Sequence, residues 1–368
     1  MSDIINFSDR KYLEILKALE EKNGNGDVCE FTSVQAFFYL LNIRDDENKI
    51  ESKKEFPNLR RGDMDNLILA IQLNYKNKYG KEYSLDECFK RLQGKVELTY
   101  EEQKEILDIA YGIIDSGKTL GNRITPDGRF NTSGWLSHSL YVARFSRVIA
   151  EEINKKQGMN LDVDKIQALA VLHDFGRKKN HTFGHVIQGA EFLIDDGKSY
   201  SAVAAVMHSF LAGKRCSNNE RALPGFYMDE NGNEAWIEGS ETDDIRDYLA
   251  THNLTMGDLI LNLGDLVATE KGVVKLSDRL NDIATRRELD PQNREYFLLQ
   301  VIKSMTYILS KMQVEIPKEV LKEFPRPGDG VPKANTAISK LSDILYLYYE
   351  NLIGKSPKST DDNDDGNR

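Results

Sequence analysis

The sequence predicts an all-α protein, and three observations lead there. Apolar residues recur at spacings of three and four along most of the chain. Helix-start signals of the Ser/Thr-x-x-Glu type stand before two of these runs. Strand-like patterning is confined to one short stretch, residues 213–243.

Taken in order, "DRKYLEILKALEE" places Tyr12, Ile15, Leu16 and Leu19 on one helical face before the breaker "NGNG". "FTSVQAFFYLLNIR" is short and strongly apolar, which predicts a buried segment, and "DMDNLILAIQLNY" continues the helical pattern. Ser84 with Glu87 and Thr99 with Glu102 form two capping boxes, opening "LDECFKRL" and "YEEQKEILDIAYGIID". The turn-rich "GNRITPDGRFNTSG", around Pro126 and Gly128, marks a seam. Helices and short loops resume at Trp135 and run to about Arg287. Within 213–243, "GFYMDENGNEAWIEG" holds Asn231-Gly232 between two apolar or aromatic runs, a two-residue hairpin signal. Two further amphipathic helices, "REYFLLQVIKSMTYILSKM" and "NTAISKLSDILYLYYENLI", flank the loop "FPRPGDGVPK". No period of 20 to 50 residues repeats, which argues against a solenoid.

A chain of 368 residues can bury one large core or two ordinary ones. No apolar run reaches bilayer-spanning length, and "MSDIINFSDRKYLEILK" lacks the basic-then-apolar pattern of an export signal. Cys29, Cys88 and Cys216 are far apart and lack metal-ligand spacing, so reduced thiols in a cytoplasmic protein are expected. A net charge of -10 disfavours extended contact with nucleic acid, although part of the excess lies in the tail "STDDNDDGNR", expected to be disordered.

The histidines are concentrated. Of the six in the chain, five lie between positions 138 and 208. Four of them fall at ends of predicted helices. His138 shares the stripe of Val142, Phe145 and Ile149. His173 follows Ile166, Leu169 and Ala170 by seven, four and three positions and points inward, with Asp174 turned about 100° from it. His185 opens "HVIQGAEFLI", where Gly189 marks a close helix contact, and His208 ends "SAVAAVMH". A single inward histidine is usually a satisfied core residue. Where two from different helices meet and one adjoins an aspartate, the carboxylate buried beside them needs compensation, and a divalent metal supplies it. Mixed imidazole and carboxylate donors suit Mn, Fe, Co or Ni, with Zn or Mg as further options.

His138, then His173-Asp174, then a later aspartate resembles the H…HD…D signature of the HD-domain metal-dependent phosphohydrolases. "LAVLHDFGRK" is similar to that family's "LLHDIGK/R", and "HVIQGAEFL" to its "H-x-x-x-G-A" segment. The likeness spans roughly residues 130–287. It implies an HD helical core over 126–290 with the hairpin insert at 213–243. Around it lie an N-terminal helical region of unassigned role at 1–125, C-terminal helices at 291–354 packed on the core, and the acidic tail at 355–368. Two aspartates compete as final ligand. Asp278 in "VKLSDRL" resembles the alarmone hydrolases, but the acidic pair that those enzymes place after HD is absent from "HDFGRK". Asp265 in "LILNLGDLVA" better fits the dinuclear subgroup.

That resemblance implies two divalent ions: His138, His173 and Asp265 on one, His185 and His208 on the other, and Asp174 bridging. It implies hydrolysis of a phosphomonoester or phosphodiester by a metal-activated hydroxide, on a small phosphorylated substrate such as a nucleotide. No Gly-x-Ser-x-Gly elbow offers a serine nucleophile. Arg177 follows "HDFG", where the family commonly places a phosphate-binding base. His181 is open between a phosphate contact or proton donor and an ordinary loop residue. His252 reads as a polar residue at a helix start, and Lys178 and Lys179 as solvated surface. Lys214 and Arg215, with Arg221 and nearby aromatics, either form a substrate-reading lid or belong to a surface excursion. The rival activities are cleavage of a cyclic nucleotide or dinucleotide, cleavage of a guanosine pyrophosphate, and di-iron oxygenation. "HSFLAG" after His208 lacks the signature of the cyclic-di-GMP enzymes. A rival of another class is a signalling or binding protein that retains a structural metal site. Self-association is left open.

Overall fold

The computed structural model describes residues 9–41, 65–121, 123–124, 130–131, 134–178, 185–208, 226–228, 234–236, 245, 248, 254–280 and 291–354. These are mostly helical. The N-terminal part comprises α1 (Asp9–Asn25), α2 (Ser33–Leu41), α3 (Asp65–Tyr79), α4 (Leu85–Leu92) and α5 (Tyr100–Asp115). The central part comprises α6 (Trp135–Gln157), α7 (Val163–Leu172), a 3-10 turn (Phe175–Lys178), α8 (His185–Asp195), α9 (Ser199–Met207) and α10 (Met256–Val267). The chain closes with α11 (Pro291–Lys311), the short α12 (Lys318–Lys322) and α13 (Val331–Leu352).

Local chemistry sets the helix starts. Thr99 accepts from the Glu102 N–H while the Glu102 carboxylate accepts from the Thr99 N–H, completing the expected box. At α4 the Ser84 side chain accepts from the Glu87 N–H, and the Glu87 carboxylate stands 3.6 Å from Arg91. Asp162 caps α7 by accepting from Lys165 N–H.

The predicted hairpin forms from β3 (Phe226–Met228) and β4 (Glu234–Trp236), paired antiparallel with Phe226 opposite Trp236. Its Asn231-Gly232 turn lies outside the described residues. Two shorter ladders were not expected. One pairs β1 (Arg123–Ile124) with β2 (Phe130–Asn131) across the seam, and the other pairs β5 (Ala268–Thr269) with β6 (Gly272–Val273) directly after α10. Two residues per strand are too few to show alternation.

α6 organises the interior. Its first half, with Leu136 and Leu140, is buried among Leu169 and Leu172 of α7, Val203 of α9 and Phe37 of α2. Its second half, with Phe145, Ile149 and Ile153, is buried among Leu263 of α10, Met305 of α11 and Leu341 of α13. Each such side chain contributes about 1.5–3 kcal/mol of hydrophobic stabilisation. Among the described residues, no helix is long and apolar enough to cross a membrane.

Candidate metal centre

Five helix ends and one turn deliver the site. His138 stands in the first turn of α6 and His173 is the C-cap of α7. His185 is the first residue of α8, His208 the C-cap of α9, and Asp265 lies in the last turn of α10. Asp174 follows His173 directly. His138, His173, Asp174, His185 and His208 are all buried, with His173 and Asp174 almost completely so.

The backbone closes around this point through glycines. A Cβ on Gly176 would lie 1.8 Å from the His185 carbonyl oxygen, and one on Gly189 would lie 2.8 Å from the Gly176 nitrogen. The turn after Asp174 therefore runs directly against the start of α8, and the Gly189 contact expected from the sequence is present. Gly264 does the same for α10, where an added Cβ would sit 3.2 Å from Val142, Phe145 and Ser146 of α6. This approach brings Asp265 to His138.

The six side chains form two groups that share Asp174. In the first, Asp265 Oδ1 lies 2.9 Å from His138 Nε2 and 3.6 Å from His173 Nε2, and the two Nε2 atoms are 3.3 Å apart. Asp174 Oδ2 lies 3.6 Å from each of these imidazoles. In the second, Asp174 Oδ1 lies 3.0 Å from His185 Nε2 and 3.5 Å from His208 Nε2, which are 3.2 Å apart. The carboxylate thus turns one oxygen to each group. His138, His173 and Asp174 form one cluster of metal-ligating atoms, and Asp174, His185 and His208 form a second.

The donor set fits a cation better than it fits itself. His173 Nδ1 donates to the Ala170 carbonyl at 2.7 Å, and His208 Nδ1 to the Ala204 carbonyl at 3.3 Å. In a neutral ring each of these bonds leaves the Nε2 lone pair facing the cluster. Asp174 Oδ1 is buried and makes no well-directed hydrogen bond, a costly state for a carboxylate oxygen. Two donors about 2.0–2.1 Å from one ion are separated by roughly 3.0 Å at a right angle and about 3.4 Å at the tetrahedral angle. The spacings above fall in and around that interval. Two adjacent buried His/Asp triads are consistent with a metal site.

The electrostatics of Asp174, Asp265 and His208 agree with this. Burial works against charge on Asp174, yet Arg177, His173 and His185 hold its carboxyl well below the ordinary range. Burial likewise opposes charge on Asp265, and His138 and His173 outweigh it, again driving the carboxyl well down. Burial, with His173 beside it, lowers His208 to about 3 and keeps that ring neutral. His173 moves the other way. Burial disfavours its charge, but Asp174 and Asp265 raise it above the ordinary histidine value.

Arg177, with a side chain 31% exposed, donates from Nε to Asp174 Oδ2 at 2.5 Å. Asp278, the rival terminal aspartate, is exposed beside Ser277, with its N–H on the Lys275 carbonyl. His181, His252, Lys179, Lys214, Arg215, Arg221 and the tail 355–368 lie outside the described residues. Phe175, next to Asp174, stacks on Tyr39 of α2 with ring centroids 5.2 Å apart. No local signal in the sequence pointed to that contact from the N-terminal region.

Residues 135–237 match the family model of the HD domain. The match takes in His138, His173, Asp174, His185 and His208 and ends before Asp265. No curated protein and no solved structure matches the chain.

Proposed function

We propose that the HD domain at residues 135–237 is the centre of a metal-dependent phosphohydrolase that holds two divalent transition ions and acts on a small phosphate ester, nucleotides foremost. The observation that carries this reading is the division of Asp174, with one carboxylate oxygen facing His138 and His173 and the other facing His185 and His208. His138, His173 and Asp265 would hold one ion, His185 and His208 the other, and Asp174 both. When bound, such ions lower the pKa of a water and neutralise charge on a phosphoryl oxygen.

The remaining chemistry belongs to the chain. The backbone carbonyls of Ala170 and Ala204 fix the tautomers of His173 and His208. The apolar packing of α6 to α9 keeps bulk water from the buried side of the cluster. Arg177, tied through Nε to Asp174, keeps its Nη groups as donors for a phosphate oxygen. The net charge of -10 disfavours a long polyanion and supports a small substrate.

The test is a phosphate-release screen with full-length protein over nucleotides, sugar phosphates and a generic phosphodiester, with Mn²⁺, Co²⁺ and Mg²⁺. Turnover that disappears with a chelator and in Asp174→Asn is expected. Stable metal binding without turnover of any ester would instead favour a binding protein with a structural metal.

A further inference from the structure

The segment "KNGNGDVCEFTS", residues 22–33, runs from the last turn of α1 to the first residue of α2, outside the HD-domain match. It reaches the first turns of three helices. At α9, Glu30 accepts from the Tyr200 N–H at 2.8 Å, the Ser201 N–H at 2.9 Å and the Ser201 hydroxyl at 2.5 Å. At α7, the Ser33 hydroxyl and N–H donate to Asp164, and Lys165 Nζ donates to the Phe31 carbonyl. At α10, Lys22 pairs with Asp258 at 2.5 Å, both side chains buried, and Asp27 accepts from the Thr255 hydroxyl at 2.6 Å.

These three helices are the ones whose opposite ends carry His173, His208 and Asp265. They are 10, 9 and 12 residues long, so each is a rod of only about 14–18 Å. A short, packed helix moves as a unit, so fixing its first turn fixes the side chain at its last. Backbone N–H groups at a helix start have no intrahelical acceptor, and a carboxylate there is also favoured by the helix dipole. Glu30 satisfies two of those groups in α9 from a segment about 170 residues distant in sequence.

We propose that residues 22–33 form a positioning clamp for the metal centre, with Glu30 setting the place of His208, Ser33 that of His173, and Lys22 with Asp27 that of Asp265. This rests on the metal reading of the cluster, and it assigns part of the N-terminal region to the working unit of the enzyme.

The test uses full-length wild type, Glu30→Ala and Glu30→Gln, prepared metal-free, with folding checked by circular dichroism. Each is titrated with Co²⁺ and followed by visible absorption, and amide hydrogen exchange is read at residues 205–208. In Glu30→Ala the first Co²⁺ equivalent should bind as in wild type, and the second should bind about tenfold or more weakly, the usual range for losing an outer partner of a ligand. Exchange at 205–208 should quicken. Glu30→Gln keeps one accepting oxygen and should fall between the two. A folded Glu30→Ala that takes both equivalents normally, with unchanged exchange, overturns the clamp. If Glu30→Ala does not fold, Ser33→Ala takes its place, with loss expected in the equivalent that His173 serves, and unaltered binding overturns the proposal. If wild type binds no Co²⁺, the metal reading fails, and the exchange at 205–208 still decides whether Glu30 positions His208.

Discussion

Asp265 Oδ1 stands 2.9 Å from His138 Nε2 across 127 positions of chain. The contact exists because α10 crosses α6 at Gly264, where no side chain keeps the helices apart. Asp278, thirteen residues on, is exposed. Asp265→Ala is therefore expected to lower metal content and abolish hydrolysis, whereas Asp278→Ala keeps both. Elemental analysis and a turnover assay on the two variants check this. The reverse pattern would move the terminal ligand and shift the substrate towards guanosine pyrophosphates.

How much of this was legible in the sequence depends on whether the signal was local. Helix ends carrying His173, His185 and His208 were readable because apolar spacing and breakers lie within a few residues of each. Gly189 was readable for the same reason. Lys22 was not: at the end of "LEEK" it resembles a solvated helix terminus, yet it is about 1% exposed because Asp258 meets it from 236 residues away. The Thr255–Asp258 capping box carries Asp where the usual pattern has Glu or Gln, so its local signal is weaker. The role of Gly176 depends on where α8 lies, which no local pattern states.

Metal content should follow the division of Asp174. Wild type is expected to bind two Co²⁺ per chain and His208→Ala one, because the group of His138, His173 and Asp265 remains complete. Chelation should lower the melting temperature, since ligand at a hundredfold excess over Kd stabilises by about 2.7 kcal/mol per site. Calorimetry with and without EDTA reads that shift. Wild-type protein holding at most one ion would return His185 and His208 to structure.

Arg177→Ala should keep metal content while raising KM for the ester by roughly ten- to a hundredfold, the effect of losing a charge-assisted contact of about 1.5–3 kcal/mol. Arg177→Lys should recover little. One ammonium cannot both meet Asp174 Oδ2, as Nε does, and present a planar pair to phosphate. Steady-state kinetics with matched metal loading checks both variants.

Gly176→Ala tests the close approach of the turn and α8. The new methyl would overlap the His185 carbonyl, which is backbone and cannot rotate away. Overpacking of this kind costs about 1–3 kcal/mol or more, and here the strain falls on His185 itself. A lower melting temperature and weaker binding of the second ion are expected together. Denaturation with and without Co²⁺ measures both, and an unchanged variant would mean that the turn is looser than the contact implies.

The last prediction concerns acid stability away from the centre. Tyr348 of α13 donates to Glu152 of α6 at 2.7 Å, and Lys155 and Lys156 stand 3.5 and 3.7 Å from the same carboxylate. Burial raises the Glu152 carboxyl, but the Tyr348 hydroxyl and the two lysines lower it further, to a net value below the ordinary 4.5. Burial and the same hydrogen bond push the Tyr348 phenol up to about 12, so both partners report one interaction. A carboxyl depressed in the folded state binds its proton more tightly when unfolded. Its stabilisation is therefore present above pH 4.5 and is lost as pH falls through the lower folded value. Tyr348→Phe should cost about 1 kcal/mol near neutrality, the usual size of one hydrogen bond. The gap from wild type should shrink as pH is lowered through that window. Urea denaturation of both proteins from pH 7 to pH 3 checks it, and a gap that stays constant or widens with acid would show that the Tyr348 contribution is not tied to ionised Glu152.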